Sequence, residues 1–127
     1  MSEGFLPGLL GVRFTAVRDG FLEAELDITS RHMAPNGFLH AGTVVSLADT
    51  CCGVACARAL PEGARGFTTV ELKSNFLSSA NEGTVYATAR AVHLGRTTQL
   101  RGADVRRRGT EKLLALFRCT QMALWPG

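Results

Sequence analysis

The sequence predicts an α+β fold in which a curved antiparallel sheet of five to six strands wraps one long helix. Three observations lead there. Residues 41–60 form a run of mostly small and apolar side chains, with Asp49 and Arg58 its only charges, too long for an ordinary strand. The segments on either side of it alternate apolar and polar residues with period two, the mark of a strand with one buried face. The segments that follow it are joined by short turn sequences, which favour antiparallel pairing. A sheet with one apolar face must cover that face, and the only large apolar partner in the chain is the helix.

The elements follow in order. Residues 3–10, apolar with Gly4, Pro7 and Gly8, suggest a short helical turn that packs as a lid. Gly11 to Val17 reads as a strand, and Asp19-Gly20 is a hairpin signal. From Phe21 to Ile28, Leu22, Ala24, Leu26 and Ile28 alternate with Glu23, Glu25 and Asp27. Ser30 to Leu39 is a loop marked by Pro35-Asn36-Gly37. The helix spans about 41–58 and Pro61 stops it. Between Ala41 and Ala57 the only charged side chain is Asp49. A helix apolar nearly all round is expected to be buried nearly all round. Four strands follow, at Thr68–Phe76, Thr84–Leu94, Thr97–Arg107 and Lys112–Ala123. Asn81-Glu82-Gly83, Gly95-Arg96 and Arg108-Gly109-Thr110 separate them.

A chain of 127 residues fits one domain, 1–127. With 46% hydrophobic and 20% charged residues it is expected to fold rather than stay disordered. A net charge of +3 is too mild to argue for a nucleic-acid partner. The basic residues are twelve Arg and two Lys, and Arg offers a planar fork suited to phosphate. Cys51, Cys52, Cys56 and Cys119 form no spaced disulfide framework and no Cys-x-x-Cys pair, so buried free thiols are expected. With His32 and His40 they lack the spacing of a metal site, and no Gly-rich phosphate loop is present; no metal or cofactor is expected. The first residues carry no signal-peptide pattern, and no stretch reaches the roughly 20 apolar residues of a membrane span. A cytoplasmic protein without a membrane partner is the expectation.

The segment Pro35-Asn36-Gly37-Phe38-Leu39-His40-Ala41-Gly42, followed by Leu47-Ala48-Asp49-Thr50, resembles the hot-dog acyl-CoA thioesterases of the phenylacetate-pathway type, within the 4-hydroxybenzoyl-CoA thioesterase-like superfamily. That family carries a Gly-x-x-His-Gly-Gly loop and an acidic residue about two turns into the following helix. Gly37, His40, Gly42 and Asp49 match it. Ala41 stands where the family has Gly, in a position that acts through its backbone N–H. The family's Asn lies six residues before the His, where this chain has Ala34; Asn36, four before, is the candidate here. The resemblance implies a thioester hydrolase with active sites between subunits and a tetramer as the usual assembly. It also implies that Thr69, with Thr68 beside it, orients water or substrate, and that Gly95 and Arg96 lie near the pantetheine arm.

The residues support that chemistry on their own. A carboxylate in an apolar helix is costly to bury unpaired, and such costs are tolerated at functional sites. Asp49 is therefore the candidate general base or nucleophile. Ala41 and Gly42 open the helix, where unpaired N–H groups and the positive dipole end suit a thioester oxyanion. Eight residues separate Ala41 from Asp49, about 12 Å of helix rise, so one carbonyl carbon cannot touch both from a single chain. The two parts are expected to meet across an antiparallel pair of helices in a dimer at minimum. His40 is expected to fix the loop or contact substrate, and Phe38, Phe67 and Phe76 are candidate linings of the acyl pocket. Arg106-Arg107-Arg108 is a candidate for CoA phosphates. The rival readings are a hot-dog dehydratase or hydratase and a non-catalytic acyl-CoA-binding protein. The substrate class expected is a small, aromatic or medium-chain acyl-CoA.

Overall fold

The computed structural model describes residues 3–127. Six antiparallel strands form one sheet: β1 (Arg13–Arg18), β2 (Phe21–Asp27), β3 (Gly66–Phe76), β4 (Thr84–Leu94), β5 (Thr98–Arg107) and β6 (Leu113–Leu124). Their spatial order is β1-β2-β4-β5-β6-β3. The helix α1 (Leu6–Leu10) precedes the sheet, and α2 (Ala41–Arg58) crosses its concave face. This is the hot-dog fold.

The core follows from side-chain parity. Leu22, Ala24 and Leu26 of β2 are buried, as are Val85, Ala87 and Ala89 of β4. Ala103, Val105, Ala115, Phe117 and Cys119 continue that inner face across β5 and β6. The many alanines hold the sheet surface low, so that α2 seats closely at interior packing density. Leu47, Ala48, Cys51 and Cys52 are the helix side chains pressed into it. Gly20 supplies the left-handed residue of the β1–β2 turn, with φ 73°.

One expectation needs correction. The helix is not buried all round. Ala41, Gly42 and Ala57 are exposed, and Ser46, Asp49 and Gly53 are only partly covered. These residues recur at helical spacing and define one open stripe. Their side chains are small, and the adjacent strand β3 is an edge strand. The loop before α2 is also more ordered than a plain turn. Ser30–His32 forms a 3-10 turn closed by a capping box between Thr29 and His32. The buried His32 accepts the Thr29 amide on Nδ1 at 2.9 Å, and its Nε2 donates to the Leu10 carbonyl at 2.7 Å, tying the loop to α1.

Candidate active site

His40 is the N-cap of α2. Its Nδ1 accepts the Gly42 N–H at 2.7 Å. That bond decides what the helix start offers. The Gly42 amide, expected to stand open beside that of Ala41, is occupied by His40. The Thr43 amide goes to the His40 carbonyl at 2.9 Å. The Ala41 N–H has no acceptor among the described residues. The dipole end of the helix therefore presents one free amide, at an exposed position. The same bond explains the glycine: a Cβ at Gly42 would lie 2.9 Å from His40 Nδ1. Ala41 meets no such constraint.

Asp49 lies two turns further on. Thr69 Oγ1 donates to its Oδ1 at 3.3 Å. Burial raises the Asp49 carboxyl above the usual carboxylate range, and the Thr69 bond opposes that rise. Phe67 lies two residues before Thr69 on β3 and therefore on the same face. Its ring packs against the backbone at Gly53, where an added Cβ would meet Cζ at 3.2 Å. Asp49, Thr50, Gly53, Val54, Phe67 and Pro7 line a hollow of about 290 Å³. The hollow is apolar apart from the acid and Thr50. Pro7 brings α1 to its rim, as a lid would. Pro7 belongs to residues 3–10, the segment that the sequence offers as a lid, whereas Gly53 was not singled out from the sequence; the alternation of Phe67 with Thr69 was the available signal for the Phe67 contact.

The remaining candidates are distributed more widely. Thr68 has the opposite parity to Thr69, is exposed, and pairs with Met122 on the outer side of the sheet. Asn36 is exposed and accepts the Phe38 amide on Oδ1 at 3.1 Å, closing a local turn in which Gly37 has φ 87°. Gly95 is held in the β4–β5 connection, its amide on the Thr98 carbonyl at 2.9 Å. The Arg96 guanidinium stacks on Trp125 at 4.3 Å, and Trp125 Nε1 donates to the Arg96 carbonyl at 3.2 Å. The arginine run is engaged otherwise than expected. Arg108 pairs with Glu23 and Glu25, Arg107 with Glu82, and Arg106 with Asp104. Arg108, just past the end of β5, reaches across β4 to the two glutamates of β2, while Asp104 lies on the same strand as Arg106 and Glu82 just precedes β4.

The thiols lie in the core. Cys51 Sγ donates to the Leu22 carbonyl at 3.2 Å, and burial pushes the thiol up to about 12, which leaves almost no thiolate at neutral pH. Among the described residues no cluster of His, Cys, Asp and Glu could hold a metal ion. Among them, too, no helix is long and apolar enough to cross a membrane.

The six-stranded antiparallel sheet around one long helix is an architecture shared with thioesterases of known structure. Residues 36–114 match the Thioesterase superfamily. The chain is 33% identical over 111 residues to a 1,4-dihydroxy-2-naphthoyl-CoA hydrolase of Listeria monocytogenes, covering 87% of this chain and 89% of that one. It is 36% identical over 100 residues to the Escherichia coli hydrolase of the same name, covering 79% and 73%. A crystal structure of a mutant thioesterase from Pseudomonas aeruginosa superposes with a TM-score of 0.92 at 32% identity, covering 97% of this chain and 88% of that one. The chain belongs to the thioesterase superfamily and is a thioester hydrolase.

Proposed function

We propose that the protein hydrolyses an aromatic or medium-chain acyl-CoA at a site shared by two copies of the chain. The observation that carries this reading is Asp49 itself. It is a carboxyl pushed upward by burial, held by Thr69, and placed at the wall of an apolar hollow on the one helix face that the fold leaves uncovered. The free Ala41 amide lies about 12 Å along the same helix, so it serves the Asp49 of a second copy whose helix runs antiparallel. The long edge strand β3, with Val70, Leu72 and Phe76 exposed, supports association on the same side. A dimer is the minimum assembly, and a tetramer of two such dimers fits the family.

In this arrangement the Ala41 amide polarises the thioester carbonyl and holds its oxyanion. Asp49 either takes the proton of a water as that water adds to the carbonyl carbon, or adds to the carbon directly. In the first route the C–S bond then breaks and the leaving thiolate takes the proton back; in the second, C–S cleavage expels the thiolate and leaves a mixed anhydride, which water hydrolyses to the free acid and the Asp49 carboxylate. His40 keeps the Gly42 amide occupied and so fixes the geometry of the loop. Thr69 orients the acid. Phe67 lines the acyl hollow. Asn36, Gly37 and Thr68 are assigned to the loop and strand that frame the site, and Gly95 and Arg96 to the outer path of the pantetheine arm. The naphthoyl-CoA named for two relatives, and the apolar hollow of about 290 Å³ beside Phe67, favour an aryl acyl group.

The test is thiol release from a panel of aryl- and alkyl-CoA thioesters, followed with a thiol-reactive dye. Asp49→Asn is expected to lower kcat by about 10²- to 10⁴-fold with the far-UV spectrum unchanged. Near-wild-type turnover in that variant would remove Asp49 from the mechanism. Tight acyl-CoA binding without release would mark a binding protein, and water addition to an enoyl-CoA would mark a hydratase.

A further inference from the structure

A second pocket lies at the other end of α2, on the side facing β1 and β2. Its volume is about 120 Å³. It is lined by Arg18, Asp19, Phe21, Ala55, Arg58 and Arg101, among others. Arg101 is only 2% exposed. Its guanidinium donates to Gln99 Oε1, to Gln121 Oε1 at 3.2 Å and to the Ala55 carbonyl at 3.2 Å. Every one of these acceptors is neutral. No carboxylate among the described residues lies within 4.0 Å of it. The cluster is short of acceptors as well, since the buried Gln121 Nε2 has none.

A cation buried without a counter-charge is among the costliest groups a core can hold. The C-terminal dipole of α2 returns only about half a charge. Arg18 and Arg58 add two more cations to the same pocket, against the single carboxylate of Asp19. Arg18 is stacked on Phe21 with 4.5 Å between guanidinium and ring, and Arg90 approaches the same ring at 5.6 Å. The pocket has the room of about four waters, which suits a tetrahedral oxyanion. Guanidinium forks match such an ion in shape and in charge.

We propose that this pocket binds a phosphate-type oxyanion, with Arg101 as its floor and Arg18 and Arg58 at its rim. The ion supplies the counter-charge that Arg101 lacks within the chain. Two sources share this chemistry: free inorganic phosphate and the phosphate groups of a CoA-type ligand. Asp49 faces β3 on the other side of the helix and precedes Arg58 by about 14 Å of rise, so the occupant stands apart from the reacting carbon. The proposal does not depend on the assignment of Asp49.

The test is calorimetric titration of the full chain with inorganic phosphate, repeated with CoA, for wild type, Arg18→Ala, Arg58→Ala and Arg101→Met. Wild type is expected to bind phosphate saturably at one site per chain. Each rim variant is expected to bind about tenfold more weakly, the loss of one charge-assisted contact, and Arg101→Met not at all. Arg18 and Arg58 are exposed, so these two variants decide the matter even if Arg101→Met fails to fold. Competition between CoA and phosphate, with a raised KM and unchanged kcat in Arg58→Ala, assigns the site to the substrate's phosphates. Phosphate binding that CoA does not displace assigns it to the free ion. Absence of saturable binding by either ligand, or binding as tight as wild type in both rim variants, overturns the proposal. Titration of Asp49→Asn separates this result from any failure of the hydrolase chemistry.

Discussion

The contact between His40 and Gly42 makes a prediction whose sign depends on background. Replacing glycine by alanine inside a helix normally stabilises it by up to about 1 kcal/mol. At position 42 the new Cβ would stand 2.9 Å from His40 Nδ1 and 3.2 Å from Cε1, so the ring must turn away and release the Gly42 amide. Losing an N-cap costs about 1 kcal/mol. Gly42→Ala alone is therefore expected to be neutral to mildly destabilising. His40→Ala alone loses the same cap and is expected to cost about 1 kcal/mol. In the His40→Ala background nothing opposes the methyl group, and Gly42→Ala is expected to stabilise. The coupling between the two sites is then about 1 kcal/mol, well above the few tenths at which independent sites add. Equilibrium urea unfolding of the four proteins at one fixed protomer concentration measures it; the fixed concentration matters because association adds to apparent stability. An identical effect of Gly42→Ala in both backgrounds would show that the His40 cap does not control the helix start.

Three further outcomes follow from the site. Thr69→Val removes the bond that lowers the Asp49 carboxyl, so the acid limb of the pH–rate profile should move to higher pH; a limb that stays or moves down refutes the pairing. Asp49 binds its proton more tightly folded than unfolded, so stability should fall as pH rises from the unfolded carboxyl value through the raised folded one. Asp49→Asn removes the charge, and thermal melts at neutral pH should show a higher Tm than wild type even though activity is lost. If Ala41 faces the partner's Asp49 on antiparallel helices, the two-fold axis crosses near Val45, the residue midway between them. Val45→Arg then sets two cations against each other, and sedimentation should show dissociation together with loss of turnover; a fully active monomer would end the shared-site reading.

The sequence made α2 legible because composition and punctuation agree there: a run without charge except Asp49, opened by a turn-rich loop and stopped before Pro61. The strands were legible by parity, and β4 was read to both of its ends at Thr84 and Leu94. What the sequence hid were the consequences of contact. Small residues on a helix mean either close packing or an open face, and only the position of β3 at the sheet edge decides between them. The capping of Gly42 depends on the χ angles of His40, which spacing does not encode. The arginine run is a candidate for CoA phosphates by residue type alone, and spacing does not show that Arg108 lies beside Glu23 and Glu25. Arg101 could have been found. Parity aligns it with Ala103 and Val105 on the inner face, and a cation in that register has to be satisfied inside the core.

Three exposed features of the protomer lie on one side: the small-residue stripe of α2, the unpaired edge of β3, and the hollow that ends at Asp49. Each carries its own penalty in isolation. An eleven-residue edge strand invites pairing. Glycine and serine in a helix leave backbone open to water. An acid at the rim of an apolar hollow is poorly solvated. In the proposed dimer, antiparallel association of two copies would cover all three surfaces at once, and the small side chains that leave the stripe open would let two helix backbones come close. The same approach would bring the Ala41 amide of one copy to the Asp49 of the other. Stability and catalysis thus make one demand on the surface, so substitutions that enlarge the stripe should weaken assembly and turnover together rather than one without the other.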